Sequence, residues 1–213
     1  KPPRRNYDFR IATQGTLLMS ENRKNDITIR LATAKDAPQL LEIYSYYVQN
    51  TAITFELETP SVKEFKNRIK QTLKIFPYIV AELNGKITGY AYASHFKKRA
   101  AYDRDVETSI YVHKDFKHCG IGKKLLLKLE ELLKSQNILN VYAVIAAPEQ
   151  EDEYLNFDSI KFHTKMGYTQ SAEYKTCGFK FNKWYSVVTM QKFLDEHNSN
   201  PKPVIYWNNR KLF

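Results

Sequence analysis

The stretch from Val106 to Ala146 constrains the fold more than any other part of this chain. VETSIYV at 106–112 alternates as a strand does, and GIGKKLLLKLEELLKSQ at 120–136 carries leucines at helical spacing with Lys and Glu opposite. LNVYAVIA at 139–146 is a β-branched run fit for a buried strand. Strand, amphipathic helix and strand in close succession require a helix layered on a sheet, so the class is mixed α/β.

The flanks add hairpins to that unit. ITIRLA from Ile27 reads as a strand, and the Thr33/Asp36 spacing of a capping box precedes the helical pattern LLEIYSYYV. Ser61 and Glu64 repeat that spacing before FKNRIKQTLKIF, and PYIVAEL, Asn84-Gly85 and KITGYAYASHF form a tight hairpin pattern. SIKFHTKM at 159–166 reads as a helix, and YTQSAEY with WYSVVTMQKF as a closing strand pair. Hairpins in the first half argue against a uniformly doubly wound parallel sheet. With 213 residues, 43% of them apolar, the chain is long enough for one sizeable core. The expected organisation is a basic, flexible extension over 1–24, one domain over 25–196 and a C-terminal tail over 197–213. Met19 stands just ahead of the patterned part, so residues 1–18 read as an extension to it.

Several function classes are disfavoured. No apolar run approaches the roughly 18 residues of a spanning helix, and no apolar core of a secretory signal follows the charges of KPPRRNYDFR. Cys119 and Cys177 make no disulfide framework and point to a reducing, cytoplasmic setting. The net charge of +10 invites a nucleic-acid partner, yet +4 of it falls in 1–24 and +3 in 197–213. Solvated ends around a nearly balanced body are the plainer reading. Tyr44, Tyr46 and Tyr47 come with no RNA-binding motif and read as core and interface. His95, His113 and His118 lack metal-ligand spacing, so no metal is expected.

Chemistry concentrates in Val112-His113-Lys114-Asp115-Phe116-Lys117-His118-Cys119-Gly120-Ile121-Gly122-Lys123-Lys124, where a strand passes through a basic turn into a helix. Gly120 and Gly122 permit close backbone approach, the first helical N–H groups have no intrahelical acceptor, and the helix dipole favours an anion. Lys117, Lys123 and Lys124 add charge. Two glycines two apart also occur in plain strand-to-helix turns, and the spacing is neither a Walker loop nor a dinucleotide fingerprint.

Lys117-His118-Cys119-Gly120-Ile121-Gly122 resembles the Arg/Gln-x-x-Gly-x-Gly/Ala pyrophosphate signature of the GNAT superfamily of N-acetyltransferases, with Lys replacing Arg/Gln. The resemblance is closest to the phosphinothricin N-acetyltransferase family and runs from about Ile27 to Phe193, through IRLAT, HFKKRAAYDRDVETSIYV, NFDSIKFHTKMGY and GFKFNKWYSVVTM. It implies a mostly antiparallel mixed sheet splayed between the fourth and fifth strands, acetyl-CoA as acetyl donor, a small amine acceptor and a homodimer. It further implies that Glu107 takes the amine's proton and that His163 lies at the thioester. The cofactor residues it implies are Tyr111, Val112, His113, Lys117, His118, Cys119, Gly120, Ile121, Gly122, Lys123 and Lys124, with Asn156 and Ser159 contacting the pantetheine and phosphate side. Lys97, Arg99, Tyr102 and Tyr111 fall on the substrate side, and their types suit an acidic acceptor such as phosphinothricin or methionine sulfoximine. An exposed basic loop is the competing reading of KKR. Residues 149–155 look inserted just ahead of Asn156; were the insertion instead inside the helix start, Glu149 would occupy the Asn position, where a carboxylate suits CoA phosphates poorly. Cys119 lacks an attached His–acid pair and reads as a bystander rather than a nucleophile. Two other readings stay open: transfer to another amine, such as a polyamine or peptide N-terminus, and a regulatory protein that binds acyl-CoA or nucleic acid without turnover.

Overall fold

Local signals start and stop the elements. Thr33 and Asp36 close a reciprocal capping box over a 3₁₀ turn, and Asp36 also accepts a two-pronged bond from Arg30 at 2.9 Å. At the second predicted box only half forms: Ser61 caps the Glu64 N–H, while the Glu64 carboxylate turns to Arg68. Asn84 and Gly85 take positive φ of 51° and 77°, the pair of left-handed angles that a two-residue hairpin turn requires.

The computed structural model describes residues 27–207. Its strands are β1 (Ile27–Leu31), β2 (Tyr78–Leu83), β3 (Lys86–His95), β4 (Asp105–Val112), β5 (Asn140–Ala147), β6 (Thr169–Lys180) and β7 (Lys183–Phe193). Its helices are α1 (Ala37–Asn50), α2 (Val62–Thr72), α3 (Ile121–Ser135) and α4 (Asp158–Lys165). The strands form one sheet in the order β1-β2-β3-β4-β5-β7-β6. Every neighbouring pair is antiparallel except β4–β5, and that parallel pairing covers only 105–107 against 140–142. Beyond Glu107 and Tyr142 the register records no further partner between them.

Each face of the sheet has its own core. One packs α3 through Leu125, Leu126, Leu129 and Leu133 onto Ile79, Ala91, Val106 and Val141. The other packs α1 and α2 through Leu40, Tyr44, Tyr47, Phe65 and Ile69 onto Tyr78, Val80 and Tyr90. Side chains alternate across β4, so Val106 and Thr108 face α3 while Glu107 and Tyr111 share the tyrosine-rich face under α1 and α2.

The ends differ from expectation where they can be described. The expected extension over 1–24 lies outside the described residues. The expected tail from 197 is docked as far as Trp207, whose side chain is 6% exposed and whose N–H donates to Ile75 O at 3.1 Å. Gln136 Nε2 at the end of α3 donates to both Ile75 O and Ile205 O, at 2.9 and 2.8 Å. Reading this segment by charge conceals Val204, Ile205 and Trp207, the apolar residues that give it something to bury. Strand β6 also outruns its predicted length, continuing past a register shift between Tyr174 and Gly178.

Candidate active site

Past Glu107 and Tyr142, where the β4–β5 pairing ends, β4 backbone groups on that side have no β5 partner. His113 N–H donates to Thr88 O on β3, whereas Arg104 O accepts from Leu139 and Asn140 at the start of β5. Backbone groups alternate sides along a strand, so odd-numbered residues of β4 turn to β3 and even-numbered ones turn to β5. The N–H groups of Ile110 and Val112 therefore point into the opening past the last β4–β5 pair. The Val112 carbonyl accepts from the Tyr47 hydroxyl, which ties α1 to this end of β4.

The basic turn lies directly beyond. Gly120 has φ 80°, and a Cβ there would meet nothing within 4 Å, so the left-handed angle rather than space selects glycine. No side chain caps α3, while Lys124 N–H already reaches Gly120 O at 3.1 Å. The N–H groups of Ile121, Gly122 and Lys123 remain without helical acceptors, at the positive end of the helix dipole. Lys117, His118, Cys119 and Lys123 are exposed around them, with the Lys117 ammonium 5.2 Å from the Tyr47 ring centre. This donor set fits a diphosphate. Two expected members differ in role. Gly122 lies inside the first turn, where a Cβ would meet Phe162 at an ordinary 3.6 Å, so nothing in the chain itself demands glycine. His113 is buried and spent on the turn, its N–H on Thr88 and its Nδ1 accepting from Asp115 N–H at 3.3 Å.

On the tyrosine face, Glu107 is half-buried at the point where the β4–β5 pairing stops. Burial pushes its carboxyl above the usual carboxylate range, and the nearby Lys97 ammonium partly offsets that. Tyr92 is its diagonal neighbour on β3, and Tyr111 lies further along the same face of β4. Burial also raises the hydroxyls of Tyr92 and Tyr111. Across the opening, Val144 of β5 is 44% exposed, an apolar floor left open on this side. Of the expected substrate residues, Lys97 is exposed but lies within the field of Glu107, and Tyr102 stands edge-on to Phe96 at 6.3 Å. Arg99 is exposed at the start of a 3₁₀ turn that its side chain does not cap.

His163 lies on the opposite face. Its Nδ1 is 2.8 Å from Ser159 O one turn earlier, and its ring packs edge-on to Tyr168, whose hydroxyl donates to Glu130 of α3 at 3.0 Å. A carbonyl only accepts, so Nδ1 carries the proton in that bond. Burial lowers the imidazole pKa, which leaves the ring neutral near pH 7 with Nε2 as an acceptor. In that form it can take a proton but has none to give at Nε2. Asn156, exposed, closes a turn at the start of α4, its Oδ1 accepting from Asp158 N–H at 3.0 Å. Ser159, half-buried, contributes its carbonyl to His163. The apparent insertion is built in through Asp152, which accepts from Tyr154 and Leu155 N–H, Lys183 Nζ and Tyr185 OH at 2.8–3.1 Å.

Residues with no sequence signal complete the site. Thr54 Oγ1 shares a 2.9 Å hydrogen bond with Tyr44 OH, and Glu56 holds Arg68 at 2.6 Å. Arg68, Tyr44, Tyr78, Tyr90 and Tyr92 line a cavity of about 320 Å³ beneath α2. Scattered Thr, Glu and Tyr carry no spacing that chemistry recognises; only the tertiary fold gathers them. Among the described residues no cluster of His, Cys, Asp or Glu is placed to hold a metal, and no helix is long and apolar enough to cross a membrane.

The family model of the acetyltransferase (GNAT) domain matches residues 29–189. The chain is 31% identical to phosphinothricin N-acetyltransferase of Streptomyces viridochromogenes, over 87% of this chain and 97% of that protein. It is equally 31% identical to the L-methionine sulfoximine/L-methionine sulfone acetyltransferase of Salmonella typhimurium, over 80% and 96%. Among solved structures, the GNAT superfamily phosphinothricin acetyltransferase of Sinorhizobium meliloti in complex with acetyl-CoA superposes with a TM-score of 0.74 at 31% identity, covering 85% of this chain and 98% of that one. An N-acetyltransferase from Staphylococcus aureus gives 0.73 at 26% identity, covering 79% and 99%.

Proposed function

The chain belongs to the GNAT acetyltransferase family and is an acetyl-CoA-dependent N-acetyltransferase; from that premise we propose that its acceptor is the primary amine of an amino-acid-like compound bound on the Glu107 face. Relatives named for phosphinothricin and methionine sulfoximine support that class. The observation that carries it is Glu107 itself, a desolvated carboxylate with Lys97 in its field, where β4 and β5 separate. Acetyl-CoA supplies the activated acetyl group. The first-turn N–H groups of α3, with Lys117, Lys123 and Lys124, hold the diphosphate. Glu107 takes the proton of the attacking amine, directly or through one water. The N–H groups of Ile110 and Val112 face the opening and stabilise charge developing on the carbonyl oxygen. Thiols titrate at about 8.5, so the leaving sulfur needs little protonation and His163 acts by shaping the α3–α4 wall. Lys97, more than Arg99, attracts the acceptor's carboxylate.

The same reading includes a homodimer, supported by Phe179 and Trp184, exposed and in mutual contact near the β6–β7 turn. It also includes a cytoplasmic setting, supported by the free, exposed thiols of Cys119 and Cys177. Screening amines with acetyl-CoA while following thiol release tests the acceptor. Turnover of L-methionine sulfone or phosphinothricin above polyamines and peptide N-termini is expected, and the reverse ranking removes the amino-acid class.

A further inference from the structure

Residues 51–56 form a strap across the opening between β4 and β5, fastened on both sides. On the β4 side Thr54 Oγ1 shares a 2.9 Å hydrogen bond with Tyr44 OH, and the Tyr44 ring packs edge-on to Tyr111 of β4 at 5.1 Å. On the far side Ala52 N–H donates to Tyr154 O at 3.0 Å, and the Lys180 ammonium of β6 donates to Thr54 O at 2.8 Å. The Phe55 ring lies so tightly on Gly178 that a Cβ built there would fall 2.1 Å from it. Since β5 and β7 separate β4 from β6, a segment fastened on both sides spans the opening.

Lys180 is an unexpected choice for such a fastening. It is 4% exposed, and among the described residues no carboxylate lies within 4.0 Å of its ammonium. Glu56 acts on it through space only, and the Phe181 ring lies 5.2 Å away. Burying an unpaired ammonium is costly, so a side chain there that merely filled volume would be apolar. What the ammonium adds is a charge-assisted, directional bond to one carbonyl. That carbonyl belongs to the residue whose hydroxyl is hydrogen-bonded to Tyr44, two positions before the Glu56 that holds Arg68. Fixing it sets the height of the strap over the face that carries Glu107.

We propose that Lys180 is a positioning residue for the amine acceptor: by holding the Thr54 carbonyl it fixes the strap that roofs the Glu107 face, and it sets acceptor affinity without touching the cofactor side. This rests on the reading that the acceptor binds on the Glu107 face, and on no particular acceptor. An edge strand far from β4 thereby tunes the acceptor site.

Two variants of the full chain loosen the strap from different points. Lys180→Met keeps the length of the side chain without its donor, and Gly178→Ala forces Phe55 off β6. Each is assayed with acetyl-CoA and the best amine from the acceptor screen, alongside acetyl-CoA titration by calorimetry and thermal unfolding. Each variant is expected to raise acceptor KM about tenfold, because small misplacements around a reacting centre are costly, while acetyl-CoA Kd stays within about twofold. The double variant should exceed neither single by much, since both release one strap. If Lys180→Met does not fold, Gly178→Ala decides. Acceptor KM and acetyl-CoA Kd both unchanged in a folded variant, whether or not Tm falls, overturn the role of Lys180 and leave the acceptor reading standing. A rise in acetyl-CoA Kd with acceptor KM unchanged overturns the placement of the acceptor on this face.

Discussion

The turn proposed for the cofactor and the face proposed for the acceptor are built in opposite ways. The turn from His113 to Lys124 is one continuous run whose donors are backbone N–H groups, made available by a single left-handed glycine and an uncapped helix. The face proposed for the acceptor takes side chains from α1, the 51–56 strap, α2, β3, β4 and β6, several of them placed by bonds to distant elements, as Tyr44 is by Thr54, Arg68 by Glu56 and Lys180 by Thr54. Backbone donors at a helix start tolerate many side chains, so a shared donor can be bound by one local device. A face assembled from scattered side chains changes with any of its contributors, and the proposed function assigns acceptor selectivity to it.

The largest effect that divides these regions should come from Glu107→Gln, which removes the proton acceptor and no cofactor contact. A fall in kcat of about 10²–10⁴ with acetyl-CoA Kd unchanged is expected from steady-state kinetics and titration. Wild-type kcat/KM should decline on the acid side with an apparent pKa above 4.5, because burial raises Glu107 and only its ionised form accepts a proton. That limb should vanish in the variant. A limb that persists assigns the base to another group.

Lys97→Met should act on the acceptor alone, raising KM for amino-acid acceptors roughly tenfold while leaving neutral amines nearly unchanged, as expected for loss of one charge-assisted contact. Arg99→Met should do less, since Lys97 and not Arg99 lies within the field of Glu107. Loss of Lys97 also removes the influence that opposes burial, so the acid limb should move further up in pH. Equal effects of both substitutions on both amine kinds would make the loop a folding element.

On the cofactor side, acetyl-CoA should slow alkylation of Cys119 several-fold while Cys177, exposed on β6, reacts alike with and without it. Equal protection of both thiols would move the cofactor off the turn.

The smallest effect concerns His163. Its folded pKa lies below 6.5, so on acidification the unfolded chain binds the proton first, and the stability that the neutral ring contributes is present above that pH and lost below it. His163→Asn, whose amide can still donate to Ser159 O, should cost about 1 kcal/mol at neutral pH, and the gap should narrow towards about pH 5.5 in denaturant titrations. A gap that widens in acid would mean that the imidazole is charged in the folded protein.

What the sequence determined by itself is what short-range physics controls. The capping spacing at Thr33, the Asn84-Gly85 hairpin, the leucine stripe of α3 and the glycine turn ahead of it each act within a few residues, so the pattern states them directly. The strand–turn–helix with its neighbouring motifs carried the resemblance to the GNAT acetyltransferases, and that resemblance implied Glu107. The tertiary structure decided the rest. The parting of β4 and β5 depends on register between segments more than thirty residues apart. The docking of 197–207 depends on an apolar seat beside Ile75 and Gln136 that charge counting does not reveal. His163 became neutral through burial that only packing creates, and Lys180 reached Thr54 across 126 positions of chain. Contacts of that range leave no periodicity in a sequence, because each end is chosen for a partner that folding alone brings near.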